Sequence, residues 1–488
     1  MQIRNYCNNL GTSLRLSHQL CFLQRLRRAT FLAILCTAVT ACAMGSVFVS
    51  YPNQAKKFRL ALIDGDTQKV LEELDKDRND KDKILYLMER GRIAQLSGDY
   101  DGSLRDFADV IDAIQVNEEK AKISASDLGA KSTAMISNDN AIPYKGESFE
   151  HILVHHYQAM NYIARGDLSG AGVEIRRANQ LQVEAAEKHH KEIAKAEQQA
   201  QEQGLPLDNS GAVSQHFSVM DEAAGKVKSS FQNAYTFYLS GLVYEALGQA
   251  NDAYIDYKKA LEIYPNNHYL QLDVLRLSQR LGMREDYNRF KSRFQREAPS
   301  TKAGSGSLVV IFEQDFIAAK SEVKVPIPTI HGWVTVAFPI YQEPWHANMP
   351  LSIRSGDSLL GSTDQIVDLH GIAARALKEN MPAIIVRQTI RATSKYIMQK
   401  NAADNGGLFA GLATQIYNIA SENADLRSWL TLANNVQILR AELPAGEHQI
   451  YAHTQDSPIA NINVKPGHIE IVRVTRAGSR YISQQYSL

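Results

Sequence analysis

Five glycines punctuate the first part of the chain at nearly regular distances: Gly65, Gly98, Gly166, Gly248 and Gly282. Three of the four intervals lie close to one or two multiples of about 34 residues. The residues that follow agree as well: Gly-Asp-Thr, Gly-Asp-Tyr, Gly-Asp-Leu and Gly-Gln-Ala. Apolar residues at helical spacing flank these turns, as with Leu60, Ile63, Val70, Leu71 and Leu74 around Gly65. Each unit is then a helix–turn–helix pair, which buries its apolar face only by stacking on the next pair. That requirement makes residues 55–300 an all-α repeat array.

Residues 234–267 fill the pattern most completely. Gly241 is small enough to let the two helices of the unit approach closely, and Gly248 makes the turn between them. Ala253 sits at the closest approach, Tyr257 and Ala260 face the next unit, and Pro265 ends it. Residues 84–115 (Gly91, Ala94, Gly98, Ser103, Phe107, Val110) and 152–183 (Ala159, Tyr162, Gly166, Ala171, Ile175, Ala178) follow the same scheme. These positions resemble the tetratricopeptide repeat (TPR). For the partial units around Gly65 and Gly282 a plain helical bundle is the alternative. Two insertions interrupt the array. Residues 117–148 end in a turn-rich stretch from Asn138 to Gly146, and 180–204 extend a helix as an Ala- and charge-rich run.

The character of the chain changes after Lys302-Ala-Gly-Ser-Gly-Ser307, so 301–307 read as a linker. Beyond it, runs such as Leu308–Phe312, His331–Phe338, Val436–Glu442, His448–Thr454 and His468–Thr475 have strand composition, with a helical interlude over roughly 364–420. The expected fold class is therefore α+β multidomain: an N-terminal all-α TPR-like array, then over 308–488 an α+β domain with a small antiparallel sheet.

The N-terminus has the grammar of export. Residues 1–41 carry Arg4, Arg15, Arg25, Arg27 and Arg28 and no acid, and an apolar run covers Ala29–Val39. That run is too short for the roughly 20 residues of a membrane-spanning helix. It ends in Val39-Thr40-Ala41-Cys42, which resembles a lipobox. The expectation is a signal peptide over 1–41, removed before Cys42, a lipidated tether over 42–54, and diacylglycerol plus N-acyl lipid on Cys42, with no other cofactor and no metal. Ala43, rather than Asp, favours the outer membrane by resemblance to the sorting rule of enteric-type lipoproteins. No cysteine follows Cys42, so catalytic thiols and disulfides are excluded beyond it. Without its five leading arginines the chain is mildly acidic, which argues against a nucleic-acid partner.

No phosphate-binding loop, nucleophile elbow or zinc-protease helix occurs. His155/His156 and His189/His190 are adjacent, so on a helix they diverge and suit no shared metal. Asp364 and Asp368, four apart on an expected helix, read as a solvated helix start, and Trp333, Trp345 and Trp429 as sheet core or boundary. Two stretches are less generic: Gly166–Asn179, containing Glu174, Arg176 and Arg177, and Asp425–Arg440 leading into Leu443-Pro-Ala-Gly446. Together with the lipobox and the Asn140-Ala-Ile-Pro-Tyr144 loop, they resemble a largely uncharacterised family of proteobacterial lipoproteins with TPR repeats. The resemblance implies location and repeats and supplies no catalytic residue.

The expected function is a non-enzymatic scaffold, anchored to the outer membrane through its lipid, that holds an envelope protein or peptide in a repeat groove. The candidate partner-binding residues are Asn161, Tyr235, Tyr238, Leu239, Arg427 and Trp429. Arg and Trp enter because both types dominate binding hot spots. The rivals are an envelope enzyme or glycan-binding module around Asp364, Asp368, Arg375 and Arg427, and a structural lipoprotein that forms homo-oligomers.

Overall fold

The computed structural model describes residues 49–124, 139–202, 214–300, 302–329, 332–344, 348–421, 423–452 and 455–488. Cys42 and the expected signal peptide lie outside the described residues. The first elements are helices: α1 (Tyr51–Asp64), α2 (Gln68–Lys76), α3 (Lys83–Leu96) and α4 (Tyr100–Ser124). After a 3-10 turn at Asp139–Ala141 come α5 (Ser148–Ala164), α6 (Leu168–Glu202), α7 (Ser214–Gly225), α8 (Ala234–Ala246), α9 (Ala250–Ile263), α10 (His268–Arg280) and α11 (Arg284–Phe294).

All five punctuating glycines have φ between +69° and +86°, where a side chain is strained. Four of the turns share one hydrogen bond. Asp99 N donates to Ala94 O (2.9 Å), Asp167 N to Tyr162 O (2.9 Å), Gln249 N to Tyr244 O (2.8 Å) and Met283 N to Ser278 O (2.9 Å). This six-to-one bond satisfies a terminal carbonyl and reverses the chain after a left-handed glycine. Helix starts have equally local causes: Asn233 Oδ1 accepts from Tyr235 N (3.0 Å), and Asn267 Oδ1 from Leu270 N (2.9 Å). The pairs α3/α4, α5/α6, α8/α9 and α10/α11 pack internally, and each stacks on the next through α4–α5, α6–α8 and α9–α10 contacts. Within pairs the approach is close. A Cβ at Gly241 would overlap the Tyr257 ring, and one at Gly91 the Phe107 ring.

The second half is built from β1 (Ser305–Phe316), β2 (Ser321–Thr329), β3 (Gly332–Ile340), β4 (Ser352–Ser355), β5 (Ser358–Ser362) and β6 (Asp364–Asp368). A 53-residue helix, α12 (Leu369–Ser421), precedes β7 (Ala433–Pro444), β8 (Gly446–Ala452), β9 (Ala460–Val464), β10 (Ile469–Ala477) and β11 (Arg480–Ser487). A five-stranded sheet runs β11-β10-β1-β7-β6, a four-stranded one β5-β4-β8-β9, and β2–β3 is a separate hairpin. The pairings are antiparallel except β1 with β10, which is parallel, so the sheet expected to be purely antiparallel is mixed. Its centre is the apolar run Leu308–Phe312, buried on both faces as a central strand must be.

Three sequence expectations are corrected here. Ser305, Gly306 and Ser307, read as linker, open β1, and Ala55–Leu488 is one compact unit. Gly306 is a glycine because neighbouring backbone crowds it: a Cβ there would meet the carbonyl oxygens of Lys465 and His468. Asp364 and Asp368 lie on β6, not on a helix. Trp333 is not core; it is 70% exposed on the β2–β3 hairpin, while Trp345 lies outside the described residues. The extended helix expected over 180–204 is present as the 35-residue α6, but it packs along α12. None of the described helices is long and apolar enough to cross a membrane.

The close pairing of α8 and α9 has a direct test. Gly241→Val sets a branched side chain against Tyr257 and should destabilise the fold by about 1–3 kcal/mol. The measurement is a lowered urea midpoint with unchanged slope.

Candidate functional site

The register of the five-stranded sheet puts Glu313, Arg440, Arg473, Thr475 and Gln484 on one face, where the pleat would normally carry apolar residues. That face meets the helices. Glu313 on β1 pairs with Arg92 of α3, both side chains fully buried. Thr475 Oγ1 donates to Glu313 Oε2 at 2.7 Å, and Tyr235 Oη to Glu313 Oε1 at 3.4 Å. Arg92 and Arg473 both donate to Gln95 Oε1, at 2.8 and 2.9 Å. Gln95 in turn donates to Asn161 Oδ1 (2.6 Å), and Asn161 to Ser103 Oγ (2.8 Å). The Arg92 guanidinium lies 4.1 Å from the centre of the Tyr157 ring.

A second cluster joins β7 to α8 and α10. Arg440 donates to Glu245 Oε1 at 2.8 Å and approaches Asp273 Oδ1 at 3.0 Å, and Arg276 grips Glu245 with two bonds of 2.8 Å. Burial alone would raise the Glu245 carboxyl, but the two guanidiniums outweigh it and hold the group far below its ordinary range.

A third junction contains the other sequence candidates. Arg427 donates to Asp82 Oδ1 (2.6 Å), Asp425 Oδ1 and Oδ2 (2.9 and 2.7 Å), Ile142 O (2.9 Å) and Asp139 O (3.1 Å). Trp429 N donates to Glu150 Oε1 at 2.9 Å, and its ring meets Phe107 and Tyr157 edge-on at 5.9 and 5.8 Å. Leu430 N and Thr431 N donate to the Glu89 carboxylate at 2.7 and 3.1 Å. The Asn140–Tyr144 loop and the Asp425–Trp429 stretch, which read as separate signature segments, are therefore one structure.

All six candidate partner-binding residues are buried: Asn161, Tyr235, Tyr238, Leu239 and Trp429 completely, and Arg427 nearly so. Of the six, only Arg427 borders open space, at the wall of the cavity described below. Their contacts are made inside the chain, because the helix faces expected to line a groove are covered by the chain's own sheet and by the 425–431 segment. Other candidates also have internal partners. His155 Nδ1 contacts Glu174 Oε2 at 2.6 Å, whereas His156 faces Tyr235 with ring centres 4.1 Å apart. Burial pushes His156 down to about 3, so it is neutral. The residues named for the rival enzyme or glycan site have separate partners too. Asp364 Oδ2 accepts from His268 N (2.8 Å), Asp368 Oδ1 accepts from Gly371 N (2.7 Å), and Arg375 donates to Glu379 and to Val227 O (2.7 Å each).

What remains open is a cavity of about 750 Å³ where α4, α5, α6, α12 and the loop before Arg427 converge. Such a volume lies within the roughly 300–1,000 Å³ of small-molecule sites. Its wall carries Lys145, Lys188, Lys195, Lys320, Arg387 and Arg427 against Glu118, Glu147, Glu379 and Asp425, over an apolar base that includes Phe149 and Leu377. Of these, sequence reading singled out only Arg427. Lys320, Glu147 and Glu379 come from three separate elements, so no spacing in the chain links them. Neither a protein-family model nor a curated protein matches this chain.

Glu313 gives the helix–sheet contact a pH signature. Burial raises a lone carboxyl, but Arg92, Arg473 and the Thr475 hydroxyl outweigh it and hold Glu313 at about 2. A carboxyl depressed in the folded state adds stability above its unfolded value of about 4.3 and loses it as pH falls through the folded value. Glu313→Gln should therefore be less stable than the parent at neutral pH, with the deficit shrinking between about pH 5 and pH 2. Urea midpoints measured in steps across that window check it; a constant deficit would mean the group is not held ionised.

Proposed function

We propose that this chain is a non-enzymatic lipoprotein, anchored through lipid on Cys42 at the periplasmic face of the outer membrane, and that its TPR-like array serves as a protein-interaction scaffold in the cell envelope. Two observations support the TPR reading: the six-to-one turn repeated after four glycines, and the tight Gly91–Phe107 and Gly241–Tyr257 contacts within helix pairs. Anchoring rests on the Val39-Thr40-Ala41-Cys42 sequence alone.

The observation that carries the functional reading is a contrast in occupancy. The sheet-facing side of the helices is filled from within the same chain, by Glu313, Arg440, Arg473 and Trp429, while the 750 Å³ cavity on another side is open. Partner binding therefore moves away from Tyr235, Tyr238 and Asn161 to the cavity and its rim. Such an array keeps the rigidity of a repeat scaffold and presents a site built from three of its helices together with α12 and the loop before Arg427.

Photo-cross-linking in the cell tests this. A cross-linker at Lys145 or Lys195, on the cavity rim, should capture an envelope protein that one at exposed Arg289, far along the chain on α11, does not. Cys42→Ser should weaken the capture by removing the anchor. Equal capture from all three positions, or none from the rim, would move the interaction elsewhere.

A further inference from the structure

Two opposite charges in the cavity wall face the open space without meeting. Glu147 Oε2 accepts from Asn380 Nδ2 at 3.0 Å, and Lys320 Nζ donates to the Arg427 carbonyl oxygen at 3.1 Å. Among the described residues, neither side chain has an oppositely charged group within ion-pair distance. Each is tied to a different element, Glu147 through Asn380 to α12 and Lys320 to the Arg427 junction, so they do not close on each other. Lys145 is also without a carboxylate partner among the described residues. Burial raises the Glu147 carboxyl, Glu150 and Asp425 add to the effect, and Lys320 and His151 oppose it. Both side chains are half-buried, so a ligand that brought each an opposite charge would gain from both pairings.

We propose that the cavity takes a dipolar small molecule of the amino-acid or short-peptide class, its ammonium group against Glu147 and its carboxylate against Lys320 and Lys145. Its apolar side chain rests on Phe149, Phe231 and Leu377, which line the same space. A simple anion would leave Glu147 uncompensated, and a simple cation would leave Lys320 and Lys145 uncompensated. An apolar ligand would bury all of them unpaired. Only a molecule carrying both charges completes the wall. This rests on the cavity being the open binding surface, and not on the lipid anchor or on any protein partner.

Titration calorimetry on the full-length lipidated protein in detergent tests it, with the dipeptide Ala-Phe as probe. N-acetyl-Ala-Phe, Ala-Phe-amide and inorganic phosphate are the controls. Ala-Phe should bind saturably, and blocking either end should weaken it by roughly tenfold or more, as expected for loss of one charged hydrogen-bonding group. Glu147→Gln should remove the preference for the free amine and Lys320→Met the preference for the free carboxylate. The blocked-ligand comparison uses unaltered protein, so it stands even where a variant fails to fold. Absence of saturable Ala-Phe binding, binding indifferent to blocking, or phosphate binding in its place would overturn the proposal. Ala-Phe binding without a cross-linked protein would support a free peptide as ligand while the scaffold reading fails. Rim cross-links without Ala-Phe binding would overturn this inference alone.

Discussion

Glu313, Arg92 and Arg473 are taken wholly out of water between the helices and the sheet, and each buried ion costs several kcal/mol unless charge and hydrogen bonds are both completed. Completion here needs groups from far apart in the chain. Arg92 and Gln95 come from α3, Asn161 from α5, Tyr235 from α8, and Glu313, Arg473 and Thr475 from three positions on the sheet face. If either half moved away, it would leave uncompensated charge on both. The Arg440–Glu245–Asp273–Arg276 cluster and the Arg427 junction repeat the same logic on either side. Docking of the helices on the sheet is therefore tightly specified in register, and the function of the molecule has to be sought on surfaces that this docking leaves free.

The parts of the fold legible in the sequence are those with local causes. A glycine required at φ near +75° is visible at Gly166 and Gly248 whatever packs around it, and Gly241 announces a close approach through the ring it must accommodate. Long-range causes were invisible. Tyr235, Tyr238, Leu239 and Asn161 have the composition of a groove, but helix periodicity shows only that one side is apolar, not what covers it. Arg427 and Trp429 were read as contacts for a partner, and the partners they have in this structure are in the same chain. Gly306 looked like a flexible joint because close backbone packing and flexibility both select small residues. Asp364 and Asp368 were assigned to a helix because the short β6 runs straight into α12 without a turn signal.

The cavity was the least legible feature. Its charged groups are drawn from the loop before α5, from α6, from the segment after β1 and from α12, and their chemistry emerges only once Arg427 has drawn Asp82, Asp139 and Asp425 together. The same junction thus does two things: it seals the 425–431 segment onto the helices, and its Arg427 carbonyl holds Lys320 in the cavity wall.

Native-state hydrogen exchange is the most direct test of the central claim that helices and sheet form one cooperative body joined through buried charge. Amides of α3, α8, β1 and β10 should exchange with one common opening free energy, and Arg92→Met should lower it for all four elements together. Sheet amides that open separately, with the helices still protected, would contradict the account and restore a hinge at residues 301–307.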